Sequence, residues 1–142
     1  MATQLQAECK IRIHAPRDKV WDGITRPELV KRYFYNADLK ADWRKGGEVV
    51  YSGVYEGTAF EDRATIADYE DGYELTMDFR EKYGKVSFTL RDLSEPALFN
   101  LAEGPETVVI VTQEGNRNEN ERKQSEHSWS EVLHKMKAIL EG

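Results

Sequence analysis

The stretch IRIHAPRDKVWDGITRPELVKRYF, residues 11–34, changes its repeat partway along. Ile11 and Ile13 alternate with Arg12 and His14, the two-residue period of a strand with one wet face. Past Pro16, Val20, Trp21 and Ile24 recur at helical spacing, and past Pro27 so do Leu29, Val30, Tyr33 and Phe34. Two helices this short are marginal on their own and must dock on something larger. What they dock on decides the fold.

Upstream, the alternation extends back to Leu5, with Ala7 and Cys9 on the apolar face and Gln6, Glu8 and Lys10 on the other. Pro16 suits the start of a helix over 17–24, because its missing N–H would have no partner there anyway. Thr25-Arg26-Pro27-Glu28 has capping-box spacing with proline at the first helical position, which predicts a second helix from Pro27 to Phe34.

Downstream, the signals are those of strands. ADLKADW alternates weakly, Gly46-Gly47 is a turn, and EVVYSGVYEG (48–57) and TAFEDRATIADY (58–69) are strands. Asp71-Gly72 is a hairpin signal, followed by YELTMDF with Tyr73, Leu75, Met77 and Phe79 on one side. KVSFTL places Val86, Phe88 and Leu90 on one face, and ETVVIVT (106–112) is a further strand. Between them PALFNLAEGP (96–105) reads either as a helix or as a strand from Ala97 to Ala102, the strand being favoured. The segment 81–105, with Phe88, Leu98 and Phe99, reads equally as a lid or as an extra hairpin for self-association. A polar loop then leads to a last helix, capped by Asn118 with Glu121. Its stripe of Trp129, Val132, Leu133, Met136, Ile139 and Leu140 predicts a rod roughly 31 Å long for about 21 residues.

The order is therefore a strand, two short helices, six or seven antiparallel strands and one long amphipathic helix, an α+β arrangement. A sheet with one apolar face needs a cover, and the last helix is the element long enough to supply it. If the sheet curls around that helix, the two short helices plug one end.

The 142 residues fit one domain, 1–142. A net charge of −6 argues against nucleic acid or an anionic membrane as partner, since both call for a clustered basic face. Cys9 is the single cysteine, so no internal disulfide forms, which suits a reducing cytoplasm. The opening MATQLQAECK lacks the apolar core of a signal peptide, and no stretch approaches the ~18–20 apolar residues of a membrane span. A soluble, cytoplasmic protein is expected.

These motifs carry a resemblance. Ala15-Pro16, Val20-Trp21, Pro27-Glu28-Leu29 and the aromatic pair Tyr33-Phe34 resemble the opening of the START/SRPBCC superfamily. More narrowly, they resemble the family related to the activator of the heat-shock protein 90 ATPase. Gly46-Gly47 before an apolar strand, and Trp129 followed by Leu133, match the same pattern. The resemblance implies a helix-grip, Bet v 1-like fold with a cavity between sheet and long helix. The chain departs from the pattern at about 81–96, where it carries extra residues.

On the alternation alone, the inward wall comprises Val49, Tyr51, Tyr55, Phe60, Ile66, Leu75, Met77, Phe79 and Phe88, with Trp129, Leu133 and Met136 from the helix. This aromatic and methionine-rich set suits a small-molecule pocket and equally suits a filled core. Asp62 and Asp68 fall on the same strand face as Phe60 and Ile66. A carboxylate there must be paired, hydrogen-bonded or protonated; it either fixes a ligand's polar group or is satisfied by Arg12, Arg63 or a tyrosine.

His127 and His134 lie seven residues apart on one helix, roughly 10.5 Å along its axis, too far to share a metal ion, and His14 has no second ligand. Neither a Gly-rich phosphate loop nor a nucleophile elbow is present, so no cofactor and no catalytic residue is expected. Three functions follow in order. The first is non-enzymatic binding of a small hydrophobic molecule, lipid-like or aromatic. The second is a chaperone-interacting module, as the resemblance implies. The third, which the superfamily resemblance also implies, is a cyclase- or hydrolase-like enzyme with Asp62 or a pocket tyrosine as acid or base.

Overall fold

A computed structural model describes residues 5–80, 82–93 and 104–142. The strand expected at Ala97 to Ala102, with Leu98 and Phe99, lies outside these residues. The described chain runs β1 (Ala7–Ile13), α1 (Arg17–Thr25), α2 (Pro27–Tyr33), β2 (Asp38–Ala41), β3 (Glu48–Tyr55), β4 (Thr58–Glu70), β5 (Glu74–Asp78), β6 (Lys85–Asp92), β7 (Thr107–Gln113) and α3 (Glu119–Glu141). All pairings are antiparallel, in the order β1-β7-β6-β5-β4-β3-β2. The sheet curves around α3, and α1 and α2 fill one end, the helix-grip arrangement expected from the element order.

Local chemistry explains most boundaries. Arg26 closes α1 and opens α2, with Pro27 at the start of α2. The capping box is not formed: the Thr25 hydroxyl turns back to donate to the Trp21 carbonyl at 2.9 Å, and Arg26 supplies no side-chain cap. The two helices are tied instead by Tyr33, whose buried hydroxyl donates to the Gly23 carbonyl at 2.8 Å. The β3–β4 hairpin turns on Glu56 and Gly57, at φ 51° and 83°, a primed turn whose twist matches that of the strands.

The register of β4 shifts between Ile66 and Asp68, making Ala67 the extra residue of a bulge. One inserted residue reverses the side-chain phase. Ala64 and Ile66 are buried before it, and beyond it Tyr69 turns inward while Asp68 is exposed, 3.9 Å from Lys45. Asp68 therefore does not share the inner face with Asp62, contrary to the alternation. Tyr73 also departs from its expected face: it precedes β5, is 44% exposed, and lies under the Arg17 guanidinium, 3.7 Å from the ring centre.

Helix α3 spans 23 residues, and the Asn118 side chain accepts from the Glu121 N–H at its start. Its fully buried residues, Val132, Leu133, Met136 and Leu140, all belong to its second half. They join Ile13, Ile24, Ile66, Leu75, Met77, Val109 and Val111 in one core. Among the described residues no helix is long and apolar enough to cross a membrane.

Candidate functional site

The fully buried residues of α3 all belong to its second half; its first half meets the core through Trp129 and otherwise overhangs the sheet. Beneath it lies a cavity of about 1110 Å³. The first half is held by polar ties: Trp129 donates from its indole nitrogen to the Gln113 side chain at 2.7 Å, and Ser125 bonds Asn116 at 2.6 Å. Asn116 in turn donates to the Leu5 carbonyl at 2.8 Å.

Of the residues expected on the inner wall, Tyr51, Phe60, Asp62, Met77, Phe79, Phe88 and Trp129 line this cavity. Tyr55 reaches only its rim, being 49% exposed. Ile66, Leu75, Leu133 and Met136 do not line it. They are packed in the solid part of the core, where the second half of α3 rests directly on the sheet.

The wall is a connected set of aromatic rings. Phe34 stacks on Trp129 with centroids 6.2 Å apart and meets Tyr51 edge-on at 5.3 Å. Phe88 meets Trp129 at 5.6 Å, and Phe79 links Tyr51 at 6.3 Å to Tyr83 at 5.5 Å. At the rim, Tyr35 meets both Phe34 and Tyr55 at 5.0 Å. Tyr35 and Asn36 stand at φ 53° and 54° in a tight turn closed by the Ala37 N–H on the Phe34 carbonyl.

Sequence reasoning missed Phe34, Tyr35 and Tyr83 as lining, and with them Gln124, Ser125, Ser128 and Lys135 on the helix. The signal was present in α3: positions 125, 128, 132 and 135 recur at helical spacing, but a search for apolar walls passes over serines.

Asp62 is the carboxylate the sheet contributes to the cavity, with its side chain 15% exposed. It sits opposite Tyr51 in the β3–β4 register. Its Oδ1 accepts from the Lys82 ammonium, and its Oδ2 lies 3.5 Å from the Tyr83 hydroxyl. Arg63, an expected partner, is on the outer face with Glu61 and Glu48. Lys82 is held above its ordinary pKa chiefly by the hydrogen bond to Asp62. Burial, aided by the Asp62 charge, pushes the Tyr83 phenol up. Tyr51 is raised strongly by burial alone, and among the described residues its hydroxyl has only the Met77 sulfur, at 3.6 Å, as partner.

The histidines stand outside the cavity. His127 is 3.6 Å from Glu131, His134 Nδ1 is 2.7 Å from the Ser130 carbonyl, and His14 is 3.8 Å from Glu106. Among the described residues no three of His, Cys, Asp and Glu converge as a metal cluster. Cys9 is half-buried and donates to the Glu126 carbonyl at 3.0 Å, its thiol pushed up mainly by burial.

Residues 14–141 match the family described as Activator of Hsp90 ATPase homolog 1-like protein. The chain belongs to this family. Solved structures agree with an Activator of Hsp90 ATPase homolog 1-like fold over nearly the whole length. A protein from Cytophaga hutchinsonii is similar at 30% identity and a TM-score of 0.79, covering 99% of this chain and 97% of its own. A Nitrosomonas europaea protein shares the fold at 20% identity and a TM-score of 0.76, over 99% and 96% of the two chains. An AHSA1-like protein from Aeromonas hydrophila does so at 17% identity and a TM-score of 0.68, over 94% and 92%. No curated protein matches.

Proposed function

We propose that this member of the Activator of Hsp90 ATPase homolog 1-like family binds a small, mainly apolar molecule, aromatic or lipid-like, between its sheet and the first half of α3. The observation that carries the reading is that, Trp129 apart, that half does not pack into the core. A wall of aromatic rings is left around a space of about 1110 Å³. Ligand sites are of about this scale, roughly 300–1,000 Å³, and combine apolar wall with polar groups; here the aromatic wall of the sheet faces a polar side of α3 that includes Gln124, Ser125, Ser128 and Lys135. A rigid aromatic wall also loses little conformational freedom on binding, which leaves more of the burial energy available for affinity.

Titration with the neutral fluorophore N-phenyl-1-naphthylamine tests this. One saturable site per chain is expected. Ser128 faces the cavity from an exposed helix position, so Ser128→Trp fills the space without entering the core. It should weaken binding at least tenfold while leaving the urea midpoint nearly unchanged. Absence of saturable binding, or affinity untouched by Ser128→Trp, would overturn the reading.

Family membership supports a second, coarser reading, a chaperone-contacting module. That role uses the outer surface. Capture of a chaperone that survives Ser128→Trp but is lost on reversing exposed charges would favour it.

A further inference from the structure

On its sheet side, where aromatic rings dominate, the cavity wall carries a charged group. Among the described lining residues, Asp62 is the single carboxylate contributed by the sheet; Glu121 and Glu131 stand on α3. Its neighbours on that face are Phe60, Phe79 and Tyr51. Setting a carboxylate among rings is costly unless its oxygens are satisfied. As a fold-stabilising device it is weakly justified, since Asp62 is paired with a largely exposed lysine and such ion pairs contribute little to stability.

The partners present do not exhaust it. An ionised carboxylate has about four acceptor positions. Lys82 occupies Oδ1, reaching in from the turn after β5 with its own side chain 57% exposed. Among the described residues Oδ2 has only the Tyr83 hydroxyl at 3.5 Å, the outer limit of a hydrogen bond. The anchored member of the pair is thus the carboxylate on a central strand, and the movable member is the ammonium.

We infer that Asp62 is a specificity-determining acceptor, selecting ligands whose ring body carries a hydrogen-bond donor such as a phenol or amine. The Lys82 ammonium holds the carboxylate when the cavity is empty and swings outward when a donor arrives. This rests on the cavity being a binding site, and the test separates the two claims.

Isothermal titration with 2-naphthol, 2-methoxynaphthalene and the 2-naphthoate anion compares one ring with a donor, with a blocked donor and with a negative charge. A hydrogen bond to a charged group corresponds to about 10- to 100-fold in affinity. The naphthol should therefore bind at least tenfold tighter than the methyl ether, with naphthoate weakest. Asp62→Asn should bring naphthol and ether to within about twofold of each other. Lys82→Met should keep or enlarge the preference for naphthol.

If Asp62 is only a structural ion-pair member, Asp62→Asn shifts all three affinities together and preserves their ratio, which overturns the inference. Tightest binding by naphthoate, or a preference erased by Lys82→Met alone, overturns it in favour of the ammonium. Equal binding of naphthol and ether to the unaltered protein defeats the inference and leaves the cavity reading standing. No binding of any probe defeats both.

Discussion

Tyr33 and Tyr51 are almost wholly enclosed, and burial raises both phenols above their ordinary value of 10.0. In the unfolded chain these phenols ionise near pH 10, whereas in the folded chain they keep their protons to higher pH. Above pH 10 the unfolded state therefore binds fewer protons, and stability falls as pH rises. Each tyrosine contributes a slope of about 1.4 kcal/mol per pH unit while its two pKa values are straddled. Urea midpoints measured between pH 8 and pH 11.5 should be flat at first and then decline. Tyr51→Phe should flatten the decline by one such slope, and an unchanged slope would contradict the assignment. Tyr33→Phe should also cost about 1–3 kcal/mol at neutral pH, because it leaves the buried Gly23 carbonyl without its donor. Neither role was legible beforehand. Sequence placed Tyr33 in the helical plug and Tyr51 on the inner wall, but hydroxyl partners depend on chain segments brought together only by folding.

Elements were more legible than residues, for a physical reason. The alternation in β1, β6 and β7 and the stripe in α3 follow from one-sided burial, which leaves its period in the sequence. The bulge at Ala67 does leave a trace, since in TIADYE the apolar phase passes from Ile66 to Tyr69, an odd spacing, but carrying the even-numbered phase straight through gave Asp68 the wrong face. The approach of the β5–β6 turn to the β7–α3 loop was hidden. There a Cβ on Gly115 would lie 2.2 Å from the Tyr83 carbonyl, and the Gly115 N–H donates to that same oxygen at 2.9 Å. The obstruction is backbone, so no rotamer change relieves it. Gly115→Ala should lower stability by about 1–3 kcal/mol, the range for forced overpacking. It should also weaken N-phenyl-1-naphthylamine binding, because the displaced turn carries Lys82 and Tyr83. Full stability and affinity in Gly115→Ala, by urea unfolding and fluorescence titration, would show that the two loops part freely.

At the scale of the whole molecule, α3 is one helix with two anchorages. Residues 132–140 are fastened by apolar burial continuous with the core, whereas 119–131 are fastened by the one Trp129 ring on the core and by hydrogen bonds to β1 and to the end of β7 and the loop after it. The net contribution of such a bond is about 1 kcal/mol, well below that of a fully buried leucine or methionine side chain. The helix is therefore expected to open locally at its start, directly over the cavity, without loss of the core. Hydrogen exchange should show the amides of 121–129 exchanging markedly faster than those of 133–140, by more than terminal fraying of one turn accounts for. A ligand seated between α3 and the sheet adds contacts only to the first half. Saturating N-phenyl-1-naphthylamine should then slow exchange at 121–129 and leave 133–140 nearly unchanged. Gln113→Ala removes the acceptor of the Trp129 indole and should speed exchange over 121–129 alone. Uniform protection along α3, in the free and the probe-bound protein alike, would mean that the overhanging half is as firmly held as the rest. Entry to the cavity would then have to pass the Tyr35–Tyr55 rim instead.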